Sequence, residues 1–198
     1  SLIQAGRKLI SLGYEDFMFF NLIPANIGGA VRQNAGVGNG QEIKDLISSC
    51  TLFDVADNKV IELRNSKLDF SYRNSIIKKN PNRYFVLSSK FILDKRTNNI
   101  SELLIAMRNR VKEKIDREPK GYCFGSTFMN DEKKAWQYID SIYGDVKFSK
   151  NFYFSKKHKN WIINIKGSGL EIGDLIKDVQ KKIKNKFNIN LKVEVDII

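Results

Sequence analysis

The chain has 198 residues, enough for one large domain or two small ones. Its 42% hydrophobic content and three prolines describe a folded protein, and no apolar run approaches the roughly 20 residues that cross a bilayer. The formal charge of +12 is spread along the chain. Lys and Arg outnumber Asp and Glu by 14 to 9 over residues 1–100 and by 20 to 13 over residues 101–198, a field that favours anionic ligands.

Ser1–Gly13 lacks the apolar core of a signal peptide. A short helix is expected from near Arg7 to Gly13, followed by an apolar cluster, Phe17-Met-Phe-Phe20, of core character. Residues 21–41 then hold five of the 13 glycines: Gly28, Gly29, Gly36, Gly38 and Gly40. Such a stretch is either a plain Gly-rich turn or a loop that offers main-chain N–H groups to a phosphate. It fits neither the dinucleotide fingerprint nor the P-loop, since no Gly-Lys-Ser/Thr follows.

A strand is expected around Ser48–Phe53, turning at Asp57-Asn58 and returning over Val60–Leu63 as a hairpin. Tyr84–Leu93 reads as another strand. Asn99-Ile-Ser-Glu102 resembles a capping box ahead of a helix with Leu104, Met107, Val111 and Ile115 on one stripe. Arg117–Gly121, with Pro119, is the best linker. Beyond it a helix is expected over Asp131–Tyr143, with Ala135, Trp136, Ile139 and Ile142 inward. A short strand follows over Trp161–Ile165, then a helix over Glu171–Phe187 and a strand over Leu191–Val195. The fold class is α+β, in two parts that break near residue 118.

A single histidine, His158, argues against a His-based metal site or a Ser-His-Asp triad, and no metal site is expected. Cys50 and Cys123 read as reduced, mostly buried thiols of a cytoplasmic protein.

Five stretches in one order carry a resemblance. Leu22-Ile-Pro-Ala-Asn-Ile-Gly-Gly-Ala-Val-Arg-Gln-Asn-Ala-Gly36 resembles the pattern IPGxxGGAxxxNAGAYGxE, with Glu42 near its acidic position. Phe70-Ser-Tyr-Arg-Asn-Ser75, Gly125-Ser-Thr-Phe-Met-Asn130, His158-Lys-Asn-Trp-Ile-Ile-Asn164 and Leu191-Lys-Val-Glu-Val195 resemble FGYRDS, GSxFKNP, HAxFIVN and LEPEV. Together they resemble the UDP-N-acetylenolpyruvoylglucosamine reductase (UDP-N-acetylmuramate dehydrogenase) family, flavoenzymes of peptidoglycan precursor synthesis.

The resemblance implies an oxidoreductase with FAD as cofactor, NADPH as reductant and a UDP-sugar as the small-molecule partner, with neither nucleic acid nor membrane involved. It implies part of a FAD-binding subdomain over residues 1–118, a mixed or antiparallel sheet with helices, and a smaller α+β substrate domain over residues 119–198. Arg73 would bind the substrate carboxylate, Ser126 would deliver a proton, and Glu194 would act at the carboxylate and enolate end. Ile27, Gly28, Gly29, Gln33, Asn34 and Gly36 would contact the cofactor, and Tyr72, Arg73 and Asn130 the substrate. Asn130 serves equally well as a helix N-cap, and His158 is expected to be structural or to support a neighbour.

The pattern is also broken in places. Asn74 stands for Asp, Met129 for Lys, Asp131 for Pro, and Lys192 and Val193 for Glu and Pro. The family's first flavin-binding subdomain would lie before Ser1, so the 198 residues alone are expected to hold FAD weakly or not at all. The competing readings are a non-catalytic module that binds a nucleotide sugar and, ranked last, a basic nucleic-acid-binding domain, whose binding would fall steeply with salt.

Overall fold

In the computed structural model the described residues are 1–38 and 40–196. They divide into two compact units, Ser1–Lys114 and Ile115–Ile198. Both mix helices with antiparallel strands, an α+β architecture.

In the first unit, α1 (Leu2–Ser11) buries Leu2, Gly6 and Ile10 at four-residue spacing. It begins five residues earlier than expected because this stripe already starts at Leu2. A 3-10 helix, Glu15–Leu22, carries the phenylalanine cluster. A side chain at Gly6 would lie 2.7 Å from Phe20 Cβ, so glycine permits this close approach. Phe17, Phe20 and Phe91 meet edge to face at centroid distances of 5.2, 5.3 and 5.9 Å.

The sheet is antiparallel with order β2-β1-β3: β1 (Ile47–Asp54) lies between β2 (Lys59–Arg64) and β3 (Tyr84–Phe91). The hairpin register pairs Ser49 with Arg64 and Asp54 with Lys59. On the other edge of β1 the register shifts twice, between Ile47 and Ser49 and between Thr51 and Leu52. Cys50 and Leu52, two residues apart, share the buried face, and alternation breaks at Ser49, which is buried next to Cys50 beside the first of these shifts. Two short helices, α2 (Ile27–Gln33) and α3 (Ile76–Lys79), complete this core, to which Ala30, Val31 and Ile77 contribute.

The helix α4 (Ile100–Arg117), whose residues up to Lys114 belong to this unit, has the forward half of the expected cap: Glu102 N–H donates to Asn99 Oδ1 at 3.4 Å. Its inward positions are Leu103, Leu104 and Met107, which meet Ile10 and Met18. Ile115, expected on the same stripe, is exposed.

The second unit pairs β4 (Phe152–Phe154), which sequence reading missed, with β5 (Ile162–Asn164), in register from Phe152–Asn164 to Phe154–Ile162. Over it lie α5 (Ala135–Ser141) and α6 (Gly169–Phe187). Ser168 and Glu171 cap α6 reciprocally, and Asn188 ends it in the left-handed region at φ 57°. The core joins Phe128, Ile139, Phe154, Ile162, Ile176, Val179 and Ile183.

Four expectations change here. α5 begins at Ala135 rather than Asp131, because the chain turns first, with Asp131 N–H donating to Lys133 O at 3.2 Å. Trp136 is 38% exposed rather than inward. Residues 191–195 form a single bridge, Val193 to Phe128, rather than a strand. Cys50 is buried, whereas Cys123 is exposed, against expectation.

Ile176 is 1% exposed at the centre of the second unit. Ile176→Ala removes buried methyl groups and leaves a cavity. The expected cost is about 2–5 kcal/mol, read as a lower midpoint in urea unfolding at unchanged m-value.

Candidate functional site

The Gly-rich stretch folds into two parts. Gly28 and Gly29 form the first turn of α2, where main-chain N–H groups have no intrahelical acceptor. Gly29 is exposed, and a side chain there would meet nothing within 4 Å, so the main chain is open to close approach. Ile27, also in this turn, packs partly against the core. The helix ends at Gln33, and Asn34 turns the chain at φ 45°. Gly38 and Gly40 likewise border open space, while Asn39 between them lies outside the described residues. An anionic, phosphate-bearing group fits this open glycine main chain.

Asn34 is fully buried, and its amide ties three segments together. Nδ2 donates to Glu42 Oε2 and to Ser71 O, both at 2.9 Å, and Oδ1 accepts from Lys44 N–H at 3.0 Å. Its side chain lies behind the loop, not on the open surface expected of a cofactor contact. Gly36 pairs with Glu42 as an antiparallel bridge. A side chain at Gly36 would lie 2.3 Å from Gln41 O and 2.8 Å from Glu42 Cγ, so only glycine is accommodated. Gln33 Oε1 accepts from Lys78 Nζ at 2.6 Å.

Arg73 sits in a four-residue turn closed by reciprocal bonds between Ser71 and Asn74, at 3.1 and 3.0 Å. Its backbone is left-handed, at φ 54°. Nη1 donates to Glu42 Oε1 at 3.2 Å and to Asn34 O at 3.5 Å, and Nη2 donates to Gly36 O at 2.9 Å. The guanidinium also stands 4.9 Å from the ring centroid of Tyr72, which is exposed. The Arg73 and Glu42 side chains are only 14% and 9% exposed. Glu42 was noted in the sequence but given no role. Its signal was an acidic residue closing a Gly-rich stretch in a chain with a matching Arg turn.

In the second unit the segment around Ser126 runs between two others. Ser126 bridges to Trp161, and Phe128 bridges to Val193. Thr127 N–H donates to Asn160 O at 2.8 Å, and Glu194 N–H donates to Thr127 O at 2.9 Å. This register puts Glu194 opposite Thr127, one residue from Ser126; both Ser126 and Glu194 are half-buried. Met129 N–H donates to Lys192 O at 2.9 Å, so these two departures from the family pattern face each other across the strands. Asn160, buried and overlooked in the sequence, holds Phe128 through both main-chain groups: Oδ1 accepts its N–H at 3.0 Å and Nδ2 donates to its carbonyl at 2.8 Å. Asn130 Oδ1 accepts from the N–H of Ala135, the first residue of α5, at 3.0 Å, but the N-cap position itself is Lys134 and not Asn130 as expected.

His158 supports Trp161, with ring centroids 5.6 Å apart and Trp161 N–H donating to His158 O at 2.9 Å. Its Nδ1 is buried with no hydrogen-bond partner. Among the described residues no three His, Cys, Asp or Glu side chains form a metal cluster, and no helix is long and apolar enough to cross a membrane.

Residues 117–198 match the family model described as UDP-N-acetylenolpyruvoylglucosamine reductase, C-terminal domain. The UDP-N-acetylenolpyruvoylglucosamine reductase of Clostridium novyi is 38% identical over 192 residues, which cover 91% of this chain. Over nearly its whole length the chain is similar to UDP-N-acetylenolpyruvoylglucosamine reductases, and its second part matches the C-terminal domain of that family. The Petrotoga mobilis enzyme of the same name is 34% identical over 98% of the chain. The chain spans 58% of the length of the Clostridium novyi reductase and 65% of that from Petrotoga mobilis. The fold is that of the crystallised Thermus caldophilus reductase, with a TM-score of 0.81 at 24% identity over 98% of this chain and 68% of that one.

Gly36→Ala is expected to destabilise the first unit by at least about 1–3 kcal/mol, since the clash is with main chain, and thermal unfolding checks it. Burial holds the His158 imidazole below its ordinary pKa of 6.5. The unfolded chain therefore takes up a proton near pH 6.5, and the folded chain only at lower pH. Stability falls as pH drops through this window. Urea titrations from pH 7.5 to pH 5, at about half-unit steps, will show a shallower loss in His158→Gln than in the wild type.

Proposed function

We propose that these residues provide the carboxylate-binding and proton-donating parts of a reductase that converts UDP-N-acetylglucosamine enolpyruvate into UDP-N-acetylmuramate. The observation that carries the reading is the register of the second unit. It sets the segment of Ser126 beside that of Glu194, motifs far apart in sequence, with Glu194 opposite Thr127. The pinned Arg73 of the first unit supports it independently.

FAD, reduced by NADPH, would supply the hydride when bound. The main chain at Gly28 and Gly29, open at Gly29 and packed against Val86 at Gly28, with Ile27 beside it and Gln33 at the end of the same helix, would hold the cofactor. Asn34 and Gly36 would contribute by shaping the loop. The first unit would thus be the second flavin-binding subdomain, and the second unit the substrate domain. Arg73 would bind the enolpyruvyl carboxylate and stabilise the charge that develops toward it. Ser126 Oγ would give its proton to the adjacent carbon, and Glu194 would hold the same end of the substrate. Tyr72, exposed beside Arg73, would line the substrate's approach. Asn130 would act through its hydrogen bond to the start of α5.

The test uses the full chain with FAD, NADPH and the enolpyruvyl UDP-sugar. Ser126→Ala is expected to lower kcat by about 10²–10⁴-fold with little change in substrate affinity. Wild-type turnover in Ser126→Ala removes Ser126 as proton donor. Absence of NADPH oxidation in the FAD-loaded wild type overturns the reading as a whole.

A further inference from the structure

We propose that Glu42 is a positioning residue for Arg73, fixing the direction in which the guanidinium meets a carboxylate ligand. The assignment rests on the reading of Arg73 as the carboxylate-binding group, and its geometry stands on its own.

Three segments meet at Glu42. Arg73 Nη1 donates to its Oε1 at 3.2 Å. Asn34 Nδ2 donates to Oε2 at 2.9 Å, and Lys44 Nζ lies 3.1 Å from the same oxygen. Its main-chain N–H donates to Asp45 Oδ2 at 2.9 Å. Both carboxylate oxygens and the backbone are therefore held, and the carboxylate cannot rotate without breaking charge-assisted bonds. The carbonyls of Asn34 and Gly36 also accept hydrogen bonds from the guanidinium, and these carbonyls are fixed by the Gly36–Glu42 bridge and by the buried Asn34. One side chain thus braces both the cation and the loop that orients it.

Charge supports a positioning role. Arg73 and Lys44 stand against Glu42 and the more exposed Asp45, and Lys78 Nζ lies 3.4 Å from the Arg73 carbonyl, so the cluster carries no excess negative charge against an anionic ligand. The enclosure of Glu42 and Arg73 strengthens their attraction relative to a surface pair. A guanidinium on a left-handed turn residue, with only neutral carbonyls around it, would sample several rotamers. The carboxylate selects one, and preorganisation of this kind raises the yield of every productive encounter.

The experiment compares wild type, Glu42→Gln, Glu42→Asp, Arg73→Lys and Glu42→Gln in an Arg73→Lys background, all as the full chain. Two readouts are used: kcat/KM with the enolpyruvyl UDP-sugar, and NMR of the Arg73 guanidinium. Glu42→Gln keeps the shape and removes the charge. Expected are a fall in kcat/KM of about 100-fold, faster rotation about the Arg73 Nε–Cζ bond, partial rescue by Glu42→Asp, and almost no further fall when Arg73 is already Lys. Unchanged guanidinium rotation in Glu42→Gln overturns the proposal. So does a full further loss in the Arg73→Lys background, which marks a purely structural role. Tighter substrate binding in Glu42→Gln overturns it as well, because Glu42 would then compete with the substrate carboxylate. If Arg73→Lys itself leaves kcat/KM unchanged, the carboxylate reading of Arg73 fails, while guanidinium rotation still reports whether Glu42 holds Arg73.

Discussion

The first unit depends on the ion pair between Glu42 and Arg73. A carboxylate and a guanidinium this enclosed would each cost several kcal/mol to strip of water alone, so each needs the other and a full set of hydrogen bonds. The fold supplies them from segments that share no secondary structure: the end of α2, the loop before β1 and the turn before α3. Asn34 is the neutral member of this arrangement, with Glu42, Ser71 and Lys44 all on one amide. The Gly-rich stretch is therefore rigid at its Asn34–Gly36 end and open at Gly29. Those two halves suit two tasks, one bracing an arginine and the other admitting a ligand to the main chain.

The second unit solves a similar problem without charge. Its central segment, residues 126–129, has no long strand on either side. Asn160 compensates by using its side-chain amide as though it were another peptide group, satisfying both the N–H and the carbonyl of Phe128. Ser155 performs a related service for the turn that follows it, accepting from the N–H groups of Lys157 and His158. His158 and Trp161 then hold the edge against which Ser126 is paired. Ordinary polar side chains thus take the place of regular sheet around the proposed proton donor.

How much of this was legible in the sequence varied with the physics involved. β1, β2, β3 and α6 were readable because alternation, a turn at Asp57-Asn58 and a 3.6-residue stripe are local signals. The missed β4 has three residues, too few for any period to emerge. The early end of the α5 pattern was hidden because Asn130 bonds the first N–H of the helix from five residues away, across a turn that sequence spacing does not reveal. Ordered motifs singled out Arg73, Ser126 and Glu194, but only long-range register shows that Glu194 lies opposite Thr127. The resemblance alone singled out Asn34 as a cofactor contact, and its place in the structure was not legible. Its burial follows from partners distant in sequence, Ser71 among them, that no local pattern announces.

The pairing of residues 126–129 with residues 192–194 has a consequence for how the molecule is made. These segments are separated by most of the second unit, so their contact closes a long loop and is entropically late. During synthesis Ser126 emerges well before the partner that settles its register. The β4–β5 hairpin and α6 can form from nearby residues first, leaving the Ser126 segment to lock in afterwards. The part of the unit on which the proposed chemistry relies is thus its least local contact, and its ordering reports that the rest has already folded.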